Sequence, residues 1–274
     1  MGNDPVVARA APHFGEEPCI SGPGGSGTVF FSGCALGCVF CQNAKISTGG
    51  FGKAMTANKL RDLFFSLADQ GVCNLNLVTG GHFIPAIAEA LEGGFPLPVV
   101  WNSSGYETVE ALRMLDGKVQ VYLPDMKYTD SALAARYSHA PDYPETAKAA
   151  ILEMYRQTGD YVLTEDGLLT RGVAIRHLVM PGGLMNSFGV MDWVEETFAP
   201  GQVLFSLMSQ YTPQPGGAAF EELCRPLTQE EHDMAVGYLM DSGIEDGFFQ
   251  ELEAAGEDFI PSFDLTGVDK QGDL

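Results

Sequence analysis

Gly33-Cys34-Ala35-Leu36-Gly37-Cys38-Val39-Phe40-Cys41-Gln42-Asn43 directly follows the apolar run Thr28–Ser32 and sets three cysteines within eight residues. The apolar run reads as a short strand, so the cysteines sit in the loop that leaves it. Spacings of four and three residues let three thiolates converge from one tight loop. Iron–sulfur clusters are held by cysteine thiolates, and a cubane normally takes four. Three ligands leave one iron without a protein donor, the open position that separates a catalytic metal site from a structural one. A small molecule with an amine and a carboxylate is suited to chelate there. Spacing alone leaves two other readings open. Cys19 or His13 could complete a closed zinc site, or the thiols could be unligated core groups. Context favours the cluster, because the loop follows a strand and Phe40 makes the motif Cys-x3-Cys-x-aromatic-Cys.

Outward from this loop the chain alternates strands and helices. Further strands are expected at 73–79, 97–102, 119–124, 173–180 and 203–208. Helices are expected at 58–71, 84–91, 107–115 and 190–198. Asp130–Tyr137 and Pro144–Gln157 form a helical insert, with Pro144 suited to a first turn. Tyr161–Leu169 reads as a hairpin. Thr228 and Glu231 have capping-box spacing and open a helix to Met240. Six strands alternating with helices imply right-handed βα units and a parallel sheet. The preferred fold is α/β, a curved partial (β/α)6 barrel in a single domain with peripheral C-terminal helices; a doubly wound open sheet is the alternative. The expected organisation is an N-terminal extension at 1–24, the barrel at 25–215, and a C-terminal helical extension at 216–274 whose acidic tail packs loosely.

Composition narrows the function. The 274 residues are 45% hydrophobic, enough for a core, and no apolar run approaches membrane-spanning length. The formal charge of −21 argues against nucleic acid or anionic membrane as partner. The first residues carry Pro and charge without an apolar h-region, so no secretory signal is expected and a cytoplasmic location is the default. Cys19, Cys73 and Cys224 read as ordinary buried thiols, leaving too few cysteines for an auxiliary cluster.

Polar or glycine residues end each expected strand: Cys34, then Gly80-Gly81-His82, Asn102-Ser103-Ser104, Asp125 and Lys127, Arg176 and His177, and Gln210. On a parallel barrel these meet at one mouth, where such folds carry chemistry.

The chain resembles the radical SAM (S-adenosylmethionine) superfamily. It is most similar to uncharacterised Fe–S proteins related to pyruvate formate-lyase activating enzymes. The segments HFGEEP (13–18), SGTVFFSGC (26–34), NLVT (76–79), NSSGYE (102–107), YLPD-x-KY (122–128), RHLV-x-PG (176–182) and LM-x-QY (207–211) carry the resemblance over roughly residues 13–225. It implies one 4Fe–4S cluster on Cys34, Cys38 and Cys41, with SAM on the open iron. Reductive cleavage of SAM would then give a deoxyadenosyl radical that abstracts hydrogen from a substrate. It implies an electron donor such as flavodoxin or ferredoxin, and a glycyl radical enzyme or other peptide as partner. Modification of another peptide or a small molecule is the alternative activity, and a non-enzymatic Fe–S or zinc protein the alternative class.

The same resemblance implies cofactor contacts from Phe40, Gly80, Gly81, His82, Asn102, Ser103, Asp125, Lys127 and Gln210. His82 replaces the Glu of a Gly-Gly-Glu segment that binds the SAM amino group. Asn102 and Ser103 match positions that bind SAM and a monovalent cation, with Asn102 in place of an Asp. Gln210 replaces a SAM-contacting His. Arg176 matches an arginine that contacts the target peptide, and Ser21 stands where an Asp also touches it.

Overall fold

The computed structural model describes residues 4–252 and 261–268. In chain order the elements are β1 (Val6–His13), α1 (Pro18–Ser21), β2 (Ser26–Phe31), α2 (Ala44–Ser47), β3 (Lys53–Ala54), α3 (Ala57–Ala68), β4 (Leu75–Val78) and α4 (Ile84–Ala90). β5 (Val99–Ser103), α5 (Val109–Arg113), β6 (Val121–Pro124), α6 (Ser131–Ser138), α7 (Tyr143–Thr158), β7 (Val162–Leu163) and β8 (Leu169–Leu178) follow. The chain then forms α8 (Leu184–Thr197), β9 (Leu204–Met208), α9 (Gln229–Asp241) and β10 (Gly247–Phe249).

One sheet runs β10-β9-β8-β6-β5-β4-β2-β1-β3, and β7 pairs antiparallel with β8 as the expected hairpin. From β2 to β10 every neighbour on this path is parallel; β1 alone runs antiparallel to β2 and β3. This is the partial barrel. β2, β4, β5, β6 and β9 are buried along their whole length, as in a parallel sheet covered on both faces. The outer layer forms where helical spacing puts apolar groups on one face: α3 buries Leu60, Leu63, Phe64 and Leu67. Each such side chain contributes about 1.5–3 kcal/mol of burial.

Helix starts follow side-chain chemistry. Thr56, Thr108 and Asp130 accept hydrogen bonds from backbone N–H groups of the first turns of α3, α5 and α6. Thr228 and Glu231 make the reciprocal capping box of α9.

β1 lies within the segment expected as an extension, and α1 fills one end of the barrel. Cys19 and Ile20 pack with Val100, Val121, Leu123, Leu169, Ala174 and Leu204. Asn74 fixes this plug, donating to the Ile20 carbonyl at 2.7 Å and accepting from Ser26 Oγ at 2.6 Å. The tail departs from the loose packing expected of it. Residues 261–268 lie along β1, through Leu265 N to Ala8 O and Ala10 N to Thr266 O, with Phe263 and Val268 buried. The remainder of that expected tail, 253–260 and 269–274, is outside the described residues, as are residues 1–3 of the expected extension. Cys224 is also corrected: it is exposed at the end of a short helical turn, whereas Cys19 is buried. Among the described residues no helix is long and apolar enough to cross a membrane.

Candidate active site

A cavity of about 560 Å³ opens at the C-terminal ends of the strands. Its lining includes Cys34, Cys38, Phe40, Cys41, Asn102, Ser103, Asp125, Lys127, Arg176 and Gln210. Ten of the expected site residues therefore face one space. Parallel pairing explains this. β4, β5, β6, β8 and β9 pair in parallel, so their C-terminal ends open on the same side.

The cysteine loop is held from both sides. Gly33 N donates to Ile46 O in α2, and Val39 N donates to Tyr137 O in α6. Ser138 Oγ donates to Cys38 Sγ at 2.9 Å, and Cys41 Sγ lies 3.2 Å from Ser47 Oγ. The helical insert thus closes on the cysteine loop, a role invisible in its periodicity. Burial pushes the Cys34 thiol up to about 11 and raises that of Cys38, against the pull of Lys127. Among the described residues no three His, Cys, Asp or Glu side chains surround a single ion position. A cubane needs no such point, because its ligands bind separate irons. The donor set fits a cluster better than the closed zinc site. Cys19 is spent in the barrel plug.

Asp125 follows β6 because Pro124 ends the strand, and the chain recovers pairing through Asp125 N to Ser103 O and Met126 N to Arg176 O. Lys127 Nζ donates to Asp125 Oδ2 at 2.6 Å. Burial opposes ionisation of Asp125, yet Arg176 and Lys127 hold its carboxyl below the usual range. Burial likewise disfavours the Lys127 ammonium, and Asp125 more than restores it.

Arg176 lines the cavity with its guanidinium bonded inside the protein. Its Nε donates to Asp125 Oδ1 at 2.9 Å and Nη2 to Asn102 Oδ1 at 2.7 Å. Nη1 lies 3.4 Å from Glu16 Oε2 and 3.7 Å from Glu17 Oε2. The Asn102 amide and that of Asn76 also donate to Glu16. Burial pushes the Glu16 carboxyl up to about 7, against the pull of Arg176. These two glutamates form a polar floor above the apolar plug. His177, the next residue on β8, points the other way. Its ring bonds the Met126 carbonyl and Ser187 Oγ, and burial lowers it to about 4.

Four expected site residues do not line the cavity. Gly80 is buried, and a Cβ there would stand 2.7 Å from Ile87 and 2.9 Å from Trp101. Core packing therefore requires this glycine. Gly81 and His82 are exposed in the turn before α4. Thr79 lines the cavity instead, at φ 59°, a left-handed backbone rare for a β-branched residue. Such strain costs about 1–3 kcal/mol and clusters at functional sites. Ser21 is buried in α1 and bonded to the Glu16 backbone.

Behind Ser103 lies Glu107, accepting from Ser103 Oγ at 3.0 Å. The intervening turn needs Gly105, at φ 74°, whose Cβ would meet Asp125 O at 2.6 Å. Burial pushes Glu107 up to about 7 from its ordinary 4.5, so it binds a proton in the folded state that the unfolded chain has released. Stability from this group is therefore full below about pH 4.5 and is lost as pH rises through 7. Glu107→Gln should gain on the order of 2 kcal/mol relative to the unsubstituted protein between pH 5 and 8. Unfolding midpoints at the two pH values check this; a constant difference would place the carboxyl in water.

Residues 20–140 match the family described as 4Fe-4S single cluster domain, a span holding the cysteine loop. An uncharacterized protein of Methanocaldococcus jannaschii is 30% identical over 235 residues, covering 82% of this chain. The chain spans 64% of that relative's length. Spore photoproduct lyase, a C140A mutant solved with a dinucleoside spore photoproduct, superposes with a TM-score of 0.51 at 11% identity over 80% of this chain and 74% of that one. SuiB from Streptococcus suis, bound to S-adenosylmethionine, gives 0.49 at 13% identity over 86% and 49%.

Fold and site define a partial α/β barrel with a three-cysteine loop at its strand ends, inside the span that matches the 4Fe-4S family. The match to the 4Fe-4S single cluster domain family covers less than half of the chain, and spore photoproduct lyase shares its fold.

Proposed function

We propose that this chain is an enzyme that cleaves SAM reductively and abstracts hydrogen from a substrate held in the same cavity. The observation that carries this is the meeting of Cys34, Cys38 and Cys41 with the Asp125–Lys127 pair on one cavity wall. When bound, the reduced cluster and SAM supply a deoxyadenosyl radical.

The chain's own residues bind and shield. Lys127 offers a cation to a carboxylate, and Asp125, fixed by Lys127 and Arg176, is a rigid acceptor. Asn102 and Ser103 sit beside it at the end of β5 and are candidates for SAM and, with Asp125, a monovalent cation. Gln210 Oε1 is buried with no hydrogen-bond partner among the described residues, so it awaits a donor. Phe30, Phe31, Leu36, Phe40, Met180 and Met208 line the space and give it apolar walls that hold a substrate and limit solvent entry.

Activation of a glycyl radical enzyme is the narrower form of this proposal, with flavodoxin or ferredoxin as electron donor. Shared motifs support it. The internal bonding of Arg176 and Ser21 favours the broader form, hydrogen abstraction from a peptide or small molecule recognised by other groups. The test is an anaerobic incubation of cluster-loaded protein with SAM and dithionite. Deoxyadenosine and methionine should form in equal amounts, and only with reductant. A fully iron- and sulfide-loaded sample that forms neither would refute the proposal.

A further inference from the structure

We infer that Glu17 and Ser206 form a subsite for a cationic group of the substrate, an ammonium or guanidinium carried on an apolar stem. This rests on the proposed function and names the substrate class of that site.

The distribution of charge carries it. The cavity is lined by three carboxylates, Glu16, Glu17 and Asp125, and by two cations, Lys127 and Arg176. Asp125 is bonded to both cations at 2.6 and 2.9 Å. Glu16 accepts from Asn76 and Asn102 and closes on Arg176. Glu17 has only long contacts: Oε1 is 3.5 Å from Ser206 Oγ, and Oε2 is 3.7 Å from Arg176 Nη1. Oε2 is buried and accepts no hydrogen bond among the described residues, with the side chain 7% exposed. His13, the remaining lining side chain able to carry a positive charge, is lowered by burial and then by Arg9, so it adds no cation at neutral pH.

Leaving a buried carboxylate so poorly satisfied is costly, and native structures tolerate it where something else completes the site. The surroundings give the shape of that missing piece. Arg176, Ser206 and Phe248 lie side by side across β8, β9 and β10. Leu178 and Met208 pair two residues further along, and both line the cavity with Phe248 and Phe249. An apolar wall above an acidic floor matches an alkyl stem that ends in a cation. The net charge of −21 draws cations to the chain from solution.

The test uses oxidised, cluster-loaded protein with SAM present. Calorimetric titrations compare hexylamine with hexanoate, and Gly-Lys-Gly with Gly-Glu-Gly. Each cation should bind about tenfold more tightly than its anionic counterpart or better, and Glu17→Gln should weaken amine binding about tenfold. The free amine and the peptide arm separate a small-molecule source from a basic side chain. Selectivity of the unsubstituted protein needs no variant. Equal binding of cation and anion, binding of neither, or unchanged amine affinity in Glu17→Gln would each overturn the inference. So would a loss confined to SAM affinity, which would assign the carboxylate to the sulfonium. Failure of SAM cleavage under dithionite would fell the proposed function alone, because the titrations need no turnover.

Discussion

Cys38→Ala should yield protein that folds but, after anaerobic reconstitution, carries no inorganic sulfide, lacks the broad charge-transfer absorption of a cluster, and forms no deoxyadenosine. The fold survives because the cysteine loop is anchored elsewhere, by Gly33 to Ile46 and Val39 to Tyr137. The local loss is one hydrogen bond from Ser138, about 1 kcal/mol. The cluster does not survive, because two thiolates cannot replace three around a cubane that already lacks its fourth protein ligand. Cys224→Ala is the control. Its thiol is exposed, bonds backbone carbonyls and does not line the cavity, so absorption and sulfide should match the unsubstituted protein. Sulfide retained in Cys38→Ala would refute the ligand assignment. About one zinc and no sulfide in the unsubstituted protein would replace the cluster with a structural ion.

Much of this was legible because strand and helix periods differ. Apolar runs bounded by turns marked each parallel strand from β2 to β9, and the Thr228–Glu231 pair marked a helix start from two side chains. β1 was missed because Val6–His13 is rich in Ala and carries Pro12, neither of which favours a strand. β10 has three residues, too few for a period. α8 begins at Leu184 although Gly182, Gly183 and Gly189 read as breakers, and the expected helix started only at Val190.

The site divides in the same way. Local spacing located the three cysteines and the Asp125–Lys127 pair. Gly80 and Gly81 were expected at the cofactor through the resemblance, but Trp101, distant in sequence, takes the space beside Gly80. Glu16 and Glu17 were visible only as part of a shared motif. Their burial depends on the N-terminal loop entering the barrel beneath β4, β5, β8 and β9, a tertiary event without sequence period.

Arg176→Ala should be the most destabilising single change at this floor. It removes the one guanidinium that faces Asp125, Glu16 and Glu17 together. Removing one partner of a buried ion pair costs about 3–5 kcal/mol, because the remaining charge stays out of water. The loss should grow with pH. The Glu16 carboxyl stands at about 7 with Arg176 still pulling it down, so without the guanidinium it rises further. A group raised in the folded state gives stability that is full below its unfolded value, about 4.5, and is lost as pH climbs through the folded one. Unfolding midpoints should therefore fall more at pH 8 than at pH 5. Arg176→Lys keeps the charge but not the planar fork that spans Asp125 and Asn102, and should recover only part of the loss. SAM affinity should fall in both variants, since Asp125 and Asn102 lose the group that orients them. If Arg176→Ala unfolds like the unsubstituted protein at both pH values and fails only in substrate turnover, the guanidinium is free to grip a substrate. In that case the cavity has no fixed ionic floor, and the resemblance to peptide-binding activating enzymes becomes the better guide.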